Sequence, residues 1–262
     1  MSNRATPAVW RVRPSLWKRA RAKGLVGTLT ALGARVSPPR VPGYQSLTSE
    51  FRGLRGLEVG GPSRVFAERG IFPIYGLASR VDNVNFSFDT IWDSSFPGRP
   101  AGTQHVLEAT ELTGISSASY DFVASSHTIE HTANPLKALG EWRRVTRPGG
   151  YLVLVVPDKH RTFDWRRPIT EMGHLEDDLE RNTGEDDLTH VEESERLHDA
   201  RRDPGETCAT VPLAQHNLET RVMHHHVFDI HLARRIVERS GFQLVALDVV
   251  PPCHIFALAR RE

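Results

Sequence analysis

The sequence predicts an α/β protein: a doubly wound, seven-stranded, mostly parallel sheet with an acidic insertion after the fifth strand. Three observations carry that prediction. Residues Gly56 to Arg64 read Gly-Leu-Glu-Val-Gly-Gly-Pro-Ser-Arg, a short apolar run that ends in a glycine pair, as a buried parallel strand does when it turns sharply towards a helix. Residues 120–157 alternate apolar run, helical segment, apolar run. The chain then closes, from Phe228, with a helical pattern and two apolar runs joined around Pro251-Pro252, which reads as a hairpin.

Each element follows in order. Residues 1–50 form a basic N-terminal helix and linker. Nine Arg and Lys residues precede the first acid, Glu50, and Leu16, Ala20, Leu25, Leu29 and Leu32 have loosely helical spacing. A transit peptide and a polyanion or membrane-surface contact are alternatives to the favoured reading, a solvated helix leaning on the main domain. Leu57 to Val59 is the first strand, and Gly60 and Gly61 allow backbone angles that a side chain forbids. Ser63 can cap a short helix over Arg64 to Gly70. The run Ile74 to Val81 reads as the second strand, ending at Asp82-Asn83, and His105 to Leu112 as the third running into its loop. Tyr120 to Ser126 is the fourth. Proline at 135 suits the first turn of a helix to Val145, and Tyr151 to Pro157 is the fifth strand. Between Asp158 and His226 the rhythm stops: acids cluster at 176–178, 185–187 and 192–193, and the stretch also holds His160, His174, His190, His198 and His216. A helix over Asp229 to Ser240 and strands over Gln243 to Val250 and His254 to Ala259 complete the chain.

Glu-Val-Gly-Gly-Pro-Ser resembles the acid-x-Gly-x-Gly turn of class I S-adenosylmethionine (SAM) dependent methyltransferases, with Pro62 or Ser63 where the second spaced glycine is usual. The order Ser-His-x-x-Glu-His, helix, Arg-Val-x-x-Pro-Gly-Gly, strand, Val-Pro over residues 126–157 is similar to the fourth and fifth strands of the same family. That resemblance implies a Rossmann-like methyltransferase fold, with a SAM-binding domain over 51–159 and 227–262 and an acceptor-side cap over 160–226. It implies cofactor contacts from Glu58, Gly60, Gly61, Glu108, Ala109, Ser126 and His127, with Glu108 near the adenine. An acid at the tip of a second strand commonly meets a ribose, which makes Asp82 the ribose candidate, against a turn-forming Asp-Asn pair. The segments Asp158 to Asp164, Gly184 to His190 and His224 to Asp229 look like those of bacterial methyltransferases of saccharide assembly, extending to actinobacterial mannoside O-methyltransferases.

Methyl transfer to an alcohol needs a base, and histidine titrates in the right range. His127, His225 and His226 are the leading candidates, with His131 and His224 behind them and Asp158 as a group that orients a histidine or binds a divalent cation. Magnesium is the expected metal, without assigned ligands. The acceptor expected is a small saccharide. A small-molecule, protein or RNA methyltransferase and a non-catalytic SAM-binding protein are the alternatives.

Composition excludes several other classes. The 262 residues are 39% hydrophobic and 25% charged, with a net charge of +1, which offers no global attraction to nucleic acid. The two cysteines, Cys208 and Cys253, form no disulfide framework or zinc knuckle. A dinucleotide-binding Gly-x-Gly-x-x-Gly turn is absent from the first strand's end. No membrane-spanning run is present, and the expected location is cytoplasmic. A homodimer is among the options for oligomeric state.

Overall fold

The computed structural model describes residues 38–88, 90, 100–203 and 216–262. The basic helix expected before residue 38, together with Trp92 and Cys208, lies outside them. Seven strands form one sheet in the order β3-β2-β1-β4-β5-β7-β6. They are β1 (Arg55–Val59), β2 (Arg80–Asn85), β3 (Gln104–Val106), β4 (Tyr120–Ser126), β5 (Thr146–Pro157), β6 (Phe242–Val250) and β7 (His254–Arg261). The pairs from β3 to β5 are parallel, and β7 runs antiparallel to both β5 and β6. The order reverses at β1, so the carboxyl ends of β1 and β4 flank the crevice where such sheets bind ligands.

Strand residues alternate between two cores. Leu152, Leu154 and Val156 of β5 join Ile255 and Ala257 of β7 on one face. Val153, Val155, Phe256 and Leu258 point to the other. The first face is covered by α2 (Pro135–Val145), α3 (Met172–Arg181) and α6 (Ile230–Arg239). The α2 helix starts with proline in its first turn and Asn134 Oδ1 accepting from Lys137 N. Asp229 caps α6 in the same way through Leu232 N. Trp142 of α2 is fully buried, with its Nε1 donating to the Ala109 carbonyl. It is a core residue.

The second face differs from expectation. It is covered by α1 (Tyr44–Ser49) and by turns over residues 50–79, from which Phe51, Phe66, Phe72, Ile74 and Tyr75 enter the core. The helix expected over Arg64 to Gly70 is one 3-10 turn, Arg64–Phe66. Pro62, Gly70, Pro73 and Gly76 break any longer helix here. The run Ile74 to Val81 is not the second strand: β2 begins at Arg80. The apolar residues before it are buried from turns, which mimics a buried strand in sequence.

The insertion is also more ordered than a polar loop. It holds α3, α4 (Val191–Leu197) and α5 (Asn217–Thr220). Met172 and Leu175 of α3 belong to the principal core, so this stretch is part of the packed layer. Arg167, 1% exposed, donates to Asp164, Glu193 and the carbonyls of His224 and His225. A buried guanidinium with that many partners fixes the geometry around it.

Candidate active site

At the end of β1 the chain turns at Gly60, which has φ of +81° and donates its N–H to the Val84 carbonyl. A Cβ at Gly60 would sit 1.9 Å from Thr128 Oγ1. The glycine is therefore required by the backbone and by the β4 loop packed on it, as well as by any ligand. Beneath the turn, Glu58 is wholly buried and its Oε2 accepts from the Tyr75 hydroxyl at 2.5 Å. That hydroxyl in turn accepts from Ser63 N. Burial pushes the Glu58 carboxyl up to about 8, despite the opposing bond from Tyr75. Glu58 thus supports the turn from below and presents no exposed oxygen to a ligand.

Asp82 does not reach the crevice. It pairs with Leu57 in mid-sheet and is 1% exposed. Arg55, Arg80, Thr103 N and Tyr120 Oη all donate to it at 2.7–3.0 Å. Burial alone would raise its pKa, but those donors hold it down at about 2. The residue at the carboxyl tip of β2 is Asn85, whose Nδ2 donates to the Gly61 carbonyl at 2.5 Å. Sequence reasoning missed it because it set the strand several residues too early.

Glu108 lies after β3 and is half-exposed, with Oε1 accepting from Arg221 Nη2 at 2.7 Å. Arg221 also pairs with Glu185 at 2.8 Å and stacks over Phe86. The α5 end of the insertion therefore meets the loops that follow β2 and β3. Ala109 is held by Trp142 through its carbonyl.

At the tip of β4, Ser126 is buried and His127 turns with φ of +51°. Its Nδ1 lies 3.4 Å from Glu130 Oε1, and its Nε2 is 2.7 Å from His254 Nδ1 at the start of β7. Glu130 is completely buried. Burial would raise its pKa, yet His127, with help from His131 and His224, lowers it. His254 is pushed down to about 3 by burial and then by His127. The result is a carboxylate–imidazole–imidazole chain at the carboxyl edge. Asp158, at the tip of β5, accepts from His160 N and lies 3.4 Å from Arg161 Nε.

The other candidate bases are enclosed. His225 and His226 are each 1% exposed. Burial lowers His225 to about 3 and takes His226 well below its usual value. His225 meets Asn217, and His226 Nε2 meets the Ala133 carbonyl. His131 is driven to about 4 by burial and then by His224. Burial would lower His224 too, but Asp164 at 2.5 Å raises it. Among the histidines expected to act as base, His127, with 30% of its side chain exposed, is the most open to solvent. His254 was missed because a lone histidine at a strand start carries no motif.

The described groups with metal-ligand spacing are each built mainly from His, with one Cys or Glu contributing in two of them. Magnesium prefers oxygen ligands and retained water, so these sets do not fit it. No helix among the described residues is long and apolar enough to cross a membrane.

The model of the methyltransferase domain family matches residues 60–154. No curated protein matches. Solved structures similar in fold include a SAM-dependent methyltransferase from Mesorhizobium loti, with 15% identity, TM-score 0.49 and coverage of 84% of this chain and 96% of that one. Another is a SAM-dependent methyltransferase from Aquifex aeolicus, with 14% identity, TM-score 0.46 and coverage of 95% and 100%. A putative methyltransferase from Bacillus halodurans has 16% identity, TM-score 0.46 and coverage of 79% and 70%. The family match spans the glycine turn, the β4 loop and most of β5, and it supports a methyltransferase enzyme built on this sheet.

Proposed function

We propose that this methyltransferase moves a methyl group from SAM to a hydroxyl of a sugar or oligosaccharide. The observation that supports this reading is the chain Glu130–His127–His254 at the carboxyl edge, beside the glycine turn. The residues present fit the donor: Gly60, Gly61, Asn85 and the Ser126–Thr128 loop converge there. When bound, SAM supplies an electrophilic methyl on a sulfonium. The chain's own residues supply the rest. The glycine turn and the β4 loop orient the reacting groups for in-line attack. Glu130 holds the His127 ring by its Nδ1 side and stabilises an imidazolium. The acceptor's proton enters the His127–His254 pair, leaving the attacking oxygen as a better nucleophile. The insertion, reaching the β2 and β3 loops through Arg221, forms the acceptor side.

His127→Ala should lower turnover by about 10²–10⁴-fold while SAM affinity, read by calorimetry, changes little. Retention of parental turnover by both His127→Ala and His254→Ala would exclude the pair as base.

A further inference from the structure

The insertion contains a second histidine cluster that the methyl-transfer reading does not use. His174 Nε2, on α3, lies 3.0 Å from His190 Nε2, which precedes α4. The same His174 nitrogen is 3.4 Å from Asp178 Oδ2. That oxygen is 3.8 Å from His226 Nε2, on the segment leading to α6. One ring nitrogen of each of the three histidines lies within 4.8 Å of the others.

One buried oxygen in this cluster has no hydrogen bond. Asp178 is 8% exposed, and its Oδ2 has no hydrogen-bond partner. An unpartnered buried carboxylate oxygen is costly. Protein side chains give it no hydrogen bond, although the imidazoles of His174 and His226 face it. A cation would satisfy it, and would also explain two imidazole nitrogens pointed at each other. Around a tetrahedral zinc ion, ligands at ~2.0–2.1 Å stand roughly 3.3 Å apart. The separations of 3.0, 3.4 and 3.8 Å bracket that spacing.

We propose that His174, Asp178, His190 and His226 form a closed zinc-type site that pins α3, the start of α4 and the lead into α6 together. Three imidazoles and one carboxylate suit zinc, or another late transition metal, and not magnesium. Four protein ligands leave no open position, so the role is structural. The other Asp178 oxygen accepts from Thr183 Oγ1 at 3.0 Å, and this second bond orients the carboxylate. Ligation through His226 Nε2 replaces its bond to the Ala133 carbonyl. The proposal does not depend on which acceptor the enzyme methylates.

The test uses the full chain, stripped of metal by chelation and dialysis. Cobalt(II) titration should give the intense visible bands of a tetrahedral site at one equivalent per chain, and zinc should displace it where magnesium does not. Zinc at about a hundred times its Kd should raise Tm by roughly 5–10 °C. His174 and His190 are only partly buried, so the double variant His174→Ala/His190→Ala is expected to fold, with circular dichroism as the check. It should lose the cobalt spectrum, while His254→Ala keeps it. An apoprotein that takes up no cobalt or zinc would overturn the site, as would an unchanged spectrum in the double variant. Loss of the spectrum in His254→Ala alone would place the metal at the His127–Cys253–His254 group instead and equally refute it.

Discussion

Replacing Asp82 by Asn separates a structural acid from a ribose-binding one. In the fold it takes four donors: two guanidinium groups at 2.9 and 2.7 Å, Thr103 N at 2.8 Å and Tyr120 Oη at 3.0 Å. Hydrogen bonds to a charged group contribute about 1.5–3 kcal/mol each. Arg55 and Arg80 are about half-exposed and can turn to water when orphaned, which discounts their share. The expected loss is about 2–3 kcal/mol, or roughly 5–10 °C in Tm for a domain of this size. Asp82 has its pKa lowered from 3.8 to about 2. Its stabilisation is therefore present above about pH 4 and is lost as pH falls towards about 2. Parent and variant should converge in Tm over that window, and SAM affinity at neutral pH should be unchanged. Calorimetry showing a tenfold weaker SAM affinity with an unaltered Tm would refute the structural role.

Other expectations follow from the turn. Gly60→Ala forces an L side chain to φ of +81° with its Cβ 1.9 Å from Thr128 Oγ1, at a cost of about 1–3 kcal/mol. SAM binding should weaken, and Thr128→Ala in the same chain should restore part of the Tm, since it removes the contacts with Oγ1 and Cγ2 but leaves the Cβ contact at 2.8 Å and the φ. Glu58 has its pKa raised to about 8 from 4.5, so the folded state holds a proton that the unfolded state releases. Stability should fall as pH rises from about 5 to about 8, and Glu58→Gln should flatten that slope in denaturant titrations; an unchanged slope would show that Glu58 is not its source.

The strands were legible where apolar runs are bounded by glycine, proline or a capping residue. The β4–α2–β5 unit was read to within a few residues, apart from the start of β5. There Thr146–Gly150 join the strand through a register shift against Tyr120 and Phe122. The fold was illegible over residues 64–79, where Ile74 and Tyr75 are buried from turns, and alternation cannot tell such a run from a strand. That single error set Asp82 at the tip of β2, where Asn85 stands. The histidines show a different limit. His127 follows a strand and its place at the sheet edge was read, but the consecutive His224, His225 and His226 gave no sign of being enclosed. Their burial depends on Arg167 and α3, which are distant in sequence. His254 pairs with His127 only because β7 runs antiparallel beside β5.

Methyl transfer itself tests the account most directly. Labelled SAM would be offered to the parent protein with a panel of oligosaccharides, small alcohols, peptides and RNA. The account predicts label in an alkali-stable methyl ether on a saccharide, with His127→Ala slower by about 10²–10⁴-fold. Label appearing only in peptide or RNA, or no transfer despite tight SAM binding, would contradict it.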